Sequence, residues 1–232
     1  MSLLSSAGVE FLLRWLHFLA GITWIGLLYY FNFVQGPFFA EADAATKSAA
    51  TQKLVPRALW WFRWGAMLTF LSGAAIIGMR MGPGVAATPW GVAIMTGALF
   101  GTLMFLNVWL VIWPNQKVVI ASAVAAATGG QANPVAAAAG RRAFLASRTN
   151  VVFSIPMLFF MGAASHMPPT SVTNLTGYWI GVFIVAALIE INALTATSGA
   201  TTKPIERIPG VLTTGFVVWA VVYALVELLL GA

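Results

Sequence analysis

His17 and His166 are the only imidazoles in a chain of 232 residues that contains no cysteine. Without thiolates, a metal or a haem iron has imidazole as its natural ligand. Disulfides, iron–sulfur clusters and C-x-x-C-H haem attachment are excluded. Gly21 lies one helical turn from His17, and Gly162 one turn from His166. A glycine at that spacing removes the side chain that would block a flat macrocycle lying along the helix. The spacing therefore admits a haem b held by His17, by His166 or by both. It equally admits two histidines that only hydrogen-bond a neighbouring helix or interfacial water. Met157, Met161 and Met167 precede or follow His166 closely enough to offer a thioether ligand or plain core filling.

A second polar group consists of Arg63, Asn107, Gln116, Arg148, Asn150 and Glu190, with Asn32 and Gln35 at the end of the first apolar run. Ionisable side chains at membrane depth are costly and mark functional sites by default. Glu190 needs either a proton or a partner there, and Arg63 is the expected partner. A structural Arg–Glu pair, helix caps at Ser147 or Thr149, and amides bridging helices would account for the same residues.

The elements that must position these groups follow from composition. Hydrophobic residues make up 60% of the chain and charged residues only 8%, which excludes a soluble globular domain. At about 20 apolar residues per crossing, the length allows about six membrane helices in a single integral membrane domain spanning 1–232. Six apolar segments stand out at 9–33, 58–80, 90–113, 149–167, 176–197 and 210–231, giving an all-α, multi-pass bundle. Basic residues cluster in every second connection. Lys47, Lys53 and Arg57 lie in the first, Lys117, Arg141, Arg142 and Arg148 in the third, and Lys203 and Arg207 in the fifth. The positive-inside rule places these three in the cytoplasm and both termini outside, the periplasm for a bacterial inner membrane. The net charge of +6 is thus a matter of loop placement and not of nucleic-acid binding. No basic cluster precedes the first apolar run, which is expected to be a retained helix. The Ala-rich stretch 115–148 predicts two short cytoplasmic helices joined by a turn at Thr128-Gly129-Gly130 and Asn133-Pro134. Pro156 predicts a kink in the fourth helix.

The run Trp15-Leu16-His17-Phe18-Leu19-Ala20-Gly21-Ile22-Thr23-Trp24-Ile25-Gly26, followed by Tyr30-Phe31-Asn32, resembles the first helix of the bacterial membrane-bound urate hydroxylases. Asn107-Val108-Trp109 with Ile112-Trp113-Pro114-Asn115-Gln116-Lys117 is similar to that family's third-helix signature. Ser147-Arg148-Thr149-Asn150, Ser154-Ile155-Pro156 and Phe159-Phe160-Met161, ending at His166, resemble its next helix. The first helix also resembles, more weakly, membrane haem proteins of the protoporphyrinogen-oxidase and copper-resistance type.

Members of the urate hydroxylase family join such a membrane domain to a C-terminal cytochrome c domain and oxidise urate to 5-hydroxyisourate. The resemblance implies a membrane oxidoreductase whose cytoplasmic cluster of Arg63, Asn107, Gln116, Arg148, Asn150 and Glu190 receives urate. Planar guanidinium and amide donors suit a flat anion with several carbonyl oxygens. It further implies a haem b near the outer face, with His17 and His166 as ligands and Gly21 and Gly162 beside them. This chain stops after its sixth segment, so the expected electron acceptor is a separate cytochrome c. The alternative expectation is a non-catalytic accessory subunit, with or without haem, in a larger membrane redox complex.

Overall fold

The computed structural model describes residues 2–231. Among them, six helices are long and apolar enough to cross a membrane: α1 Ser6–Glu41, α2 Ala44–Arg80, α3 Pro89–Ala127, α4 Ala136–His166, α5 Leu175–Thr195 and α6 Ile208–Gly231. Polar caps start four of them. The side-chain oxygens of Ser5, Asp43, Thr88 and Asn174 each accept the backbone N–H three residues on, at 2.9–3.2 Å, which satisfies a donor that the first turn leaves free.

The helices outrun the apolar segments. The stretches 40–57 and 114–148, expected as connections, are largely helical. α2 already begins at Ala44, α3 continues to Ala127, and α4 starts at Ala136. The two short helices expected in the Ala-rich stretch are therefore the ends of long ones. Only 128–135 turns, with Gly129 at a φ of +82°. The reason is propensity: alanine is the best helix former, and hydropathy marks where a helix enters lipid, not where it stops.

Two of the helices widen within their length, and α6 widens at its C-terminal end, Glu227–Gly231. Tyr30–Gln35 in α1 and Asn107–Ile112 in α3 are π-helical, and their caps show the i→i−5 bonds Gly36 N–H to Phe31 O and Trp113 N–H to Val108 O. Each of the two internal widened turns is followed by a proline, Pro37 or Pro114. Proline lacks an N–H and crowds the carbonyl four residues back, so a wider turn relieves that clash. α4, by contrast, stays α-helical through Pro156.

α4 is the axis of the bundle. Of its most apolar window 67% is buried, against 22–33% in the other five helices. α3 and α6 pack on it, and α1 packs chiefly on α2. In hydrocarbon such contacts rest on close packing more than on water expulsion. Gly65 of α2 shows this: a Cβ there would meet the backbone of Trp24 and Ala20 in α1 at 3.2–3.3 Å. Large apolar side chains such as Phe18, Ile22, Leu188 and Phe216 face outward, as lipid contact requires. The α1–α2 pair and the α3–α4 pair enclose a small polar cavity toward one end and a long apolar groove toward the other.

Candidate functional site

Arg148 is 5% exposed, and its Nε and Nη1 are buried without a hydrogen-bond partner. Among the described residues it forms no ion pair. Its guanidinium instead lies 5.1 Å from the centre of the Phe144 ring. It lines a cavity of about 160 Å³ whose other polar groups are Asn32, Gln35, Gln116 and Ser147, with Phe31, Phe62 and Phe144 among its walls. The widened turn of α1 delivers two of these. Asn32 donates to the Leu28 carbonyl and to Ser147 Oγ, both at 2.8 Å, while the Gln35 Oε1 is buried without a partner. A buried cation without a counter-ion is penalised by several kcal/mol in round terms, about the cost that pairing normally offsets. Flat aromatic walls, an unpaired guanidinium and a free amide oxygen together suit a planar anion that also carries N–H donors.

The widened turn of α3 carries the second polar net. Asn107 Nδ2 donates to Asn150 Oδ1 at 3.0 Å and to Glu190 Oε2 at 3.0 Å, and Asn150 Nδ2 donates to the Met104 carbonyl at 3.0 Å. The carbonyl can only accept, and this sets the direction of the whole chain. Asn150 must turn its NH2 toward Met104 and its oxygen toward Asn107, so Asn107 spends both amide hydrogens and Glu190 is held as an acceptor. The net joins α3, α4 and α5.

The expected Arg63–Glu190 pair does not form. Arg63 stacks on Trp113 with its guanidinium 3.8 Å from the ring centre, and Lys117 Nζ lies 5.6 Å from the same ring. Glu190 is engaged by Asn107, and an aromatic face gives Arg63 an attraction without burying a second charge. Of the six residues expected in one polar site, Gln116 and Arg148 line the cavity, and Asn107, Asn150 and Glu190 form the adjoining net. Arg63 stands outside both.

His17 and Gly21 line the apolar groove, a volume of about 690 Å³ reached by all four of α1 to α4. Met95, Met157 and Met161 line it too, as does Trp24, whose indole N–H is buried without a partner. His17 Nδ1 lies 3.1 Å from Ser72 Oγ. The residues present fit a flat, apolar, iron-bearing group, offering one imidazole, thioethers and glycine-lined walls. His166 and Gly162 do not reach this groove. His166 ends α4 in an exposed position, and no neighbour lies within 4 Å of a Cβ built on Gly162. Among the described residues no group of three or more His, Cys, Asp or Glu could hold a metal ion. Ser72, which orients His17, escaped the reading of the sequence: a serine in an apolar helix carries no pattern that links it to a histidine 55 positions away.

Residues 86–225, more than half of the chain, match the family model described as urate oxidase N-terminal. The match takes in Asn107, Gln116, Arg148, Asn150 and Glu190 and begins after His17 and Arg63. Comparisons with curated proteins and with solved structures give no match. By its matched residues the chain belongs to the urate oxidase N-terminal family.

Proposed function

We propose that the protein is a membrane oxidoreductase of the urate hydroxylase type, binding urate as its monoanion in the cavity at Arg148. The observation that carries this reading is the buried guanidinium with no partner in the protein. Arg148 holds the anionic edge of the purine, and Gln35 and Gln116 meet its carbonyl and N–H groups. Phe31, Phe62 and Phe144 exclude water from its faces. Asn107, Asn150 and Glu190 keep α3, α4 and α5 in register beside that cavity and act as positioning residues. The reaction is urate plus water giving 5-hydroxyisourate, two electrons and two protons. A haem b at His17 would supply the one-electron redox chemistry, with a separate cytochrome c as the final acceptor. The cavity end of the bundle is assigned to the cytoplasm and both termini to the periplasm of a bacterial inner membrane, because Lys117, Arg141 and Arg142 sit at that end.

The test is urate-dependent reduction of added ferricytochrome c by the purified protein, with 5-hydroxyisourate as product. Activity in the wild type that is lost in Arg148→Gln supports the proposal. No turnover, with constant copurification of a larger membrane complex, would replace it with an accessory-subunit role.

A further inference from the structure

The hydroxyl of Ser72 has one hydrogen and three close neighbours. It lies 2.6 Å from the Leu68 carbonyl and 3.1 Å from the Thr69 carbonyl, and 3.1 Å from Nδ1 of His17. Both carbonyls can only accept, so the hydroxyl hydrogen is spent within α2. Toward His17, Ser72 Oγ is left as an acceptor, and Nδ1 must carry the hydrogen. A neutral imidazole with its hydrogen on Nδ1 has its lone pair on Nε2. Among the described residues Nε2 has no hydrogen-bond partner, and it is not among the fully buried polar atoms left unpaired, while His17 lines the apolar groove. Gly73 completes the arrangement. A Cβ there would stand 3.0 Å from Cε1 and 3.3 Å from Nδ1 of His17, so a side chain at that position would press the ring away from α2 by a few tenths of an ångström.

We infer that Ser72 and Gly73 are positioning residues that fix His17 as the Nδ1-protonated tautomer with Nε2 free to bind iron in the groove. The inference about iron rests on the haem reading above, but the tautomer does not. An outer hydrogen bond of this kind orients the ring, selects the nitrogen that binds and raises its basicity, and its removal weakens metal affinity by about 10- to 100-fold. Ser72 is a better fit to that role than to simple helix packing. The Thr69 carbonyl also faces the ring as an acceptor and favours the same tautomer, so Ser72 reinforces a choice that the α2 backbone already biases.

The test uses the full chain in a His166→Gln background, which leaves His17 as the one histidine, with no polyhistidine tag. Nitrogen-15 resonances of His17 in haem-free protein are expected to show a protonated Nδ1 and a bare Nε2. In Ser72→Ala the share of the Nε2-protonated form should rise, with the Thr69 carbonyl holding the remainder as the Nδ1-protonated form, and Ser72→Thr should restore the wild-type pattern. A wild-type ring protonated at Nε2 overturns the inference, whether or not haem binds. On haem titration, Ser72→Ala should bind about 10- to 100-fold more weakly than wild type, with Ser72→Thr recovering. Gly73→Ala, which displaces the ring, should weaken binding while keeping its helical signal and melting behaviour. Equal haem affinity in wild type and Ser72→Ala also overturns the positioning role. If wild type takes up no haem while the tautomer pattern holds, the haem reading fails and the assignment of Nε2 as the free nitrogen stands.

Discussion

Asn32 of α1 donates to Ser147 Oγ of α4 at 2.8 Å, tying the widened turn of the first helix to the residue immediately before Arg148. The bond does two things at once. It closes the cavity between helices that otherwise touch little, and it fixes the stretch of backbone from which the guanidinium projects. Interhelical side-chain bonds in membranes average about 0.6 kcal/mol, with about 1.7 as an upper value. Asn32→Leu and Ser147→Ala are therefore expected to cost stability in that range each, and a double-mutant cycle should show coupling. Unfolding in mixed micelles measures it. Strictly additive losses would show that the bond contributes nothing.

Arg148 is expected to cost stability and to be needed for ligand. Arg148→Met keeps the volume and removes an uncompensated charge, so its melting temperature without ligand should equal or exceed that of wild type. Urate should raise the melting temperature of wild type and leave that of Arg148→Met unchanged. Loss of one or two charge-assisted hydrogen bonds, each about 1.5–3 kcal/mol, corresponds to a fall in affinity of at least about tenfold. A marked drop in the stability of unliganded Arg148→Met would show that the guanidinium is satisfied within the protein.

Asn107 is the keystone of its net, because both hydrogens of its amide are committed. Asn107→Leu leaves Asn150, which is buried, and Glu190, which is partly exposed, without their donor, and should cost about 1–3 kcal/mol for Asn150 and less for Glu190. Glu190→Gln should cost less, since its carbonyl still accepts. Arg63→Gln combined with Glu190→Gln should give additive losses, the two residues having separate partners in Trp113 and Asn107. Coupling between them in a cycle measured by unfolding would contradict this arrangement.

Glu206, in the connection between α5 and α6, is bound by Arg141 Nη2 at 2.5 Å, and that hydrogen bond holds its carboxyl below the ordinary value of 4.5. A depressed folded-state pKa adds stability above the unfolded value and loses it as pH falls through the folded one. The difference in melting temperature between wild type and Glu206→Gln should therefore be constant near neutrality and shrink as pH drops below 4.5. Both partners are about a third exposed, so the difference should be small and should fade in high salt. A difference that grows on acidification would reverse the sign of the argument.

Orientation is open to direct labelling. A cysteine placed within 168–173 should react with an impermeant reagent added outside intact cells, and one within 129–132 should be protected until the membrane is opened. The opposite pattern inverts the assignment and moves the Arg148 cavity to the outer face.

The residue pattern alone determined the all-helical class, six apolar crossings and the family, because long runs of apolar side chains have few ways to satisfy their backbone in lipid. It also picked out Arg148, Gln116, Asn107, Asn150, Glu190 and His17, since polar groups stand out against an apolar background. Partnership was decided by tertiary structure. Helical periodicity assigns a residue to a face but says nothing of which neighbour that face meets, so Arg63 was matched by charge to Glu190, whereas packing set it against Trp113. Likewise, His17 and His166 are alike as residue types. Only the docking of α1 on α2 gave His17 the acceptor at Ser72 and the gap at Gly73, while His166 was left at an exposed helix end. The widened turns also came from three dimensions. Pro37 and Pro114 require some relief, but whether a helix kinks, ends or widens depends on the side chains packed around it, and here widening brings Asn32, Gln35 and Asn107 inward.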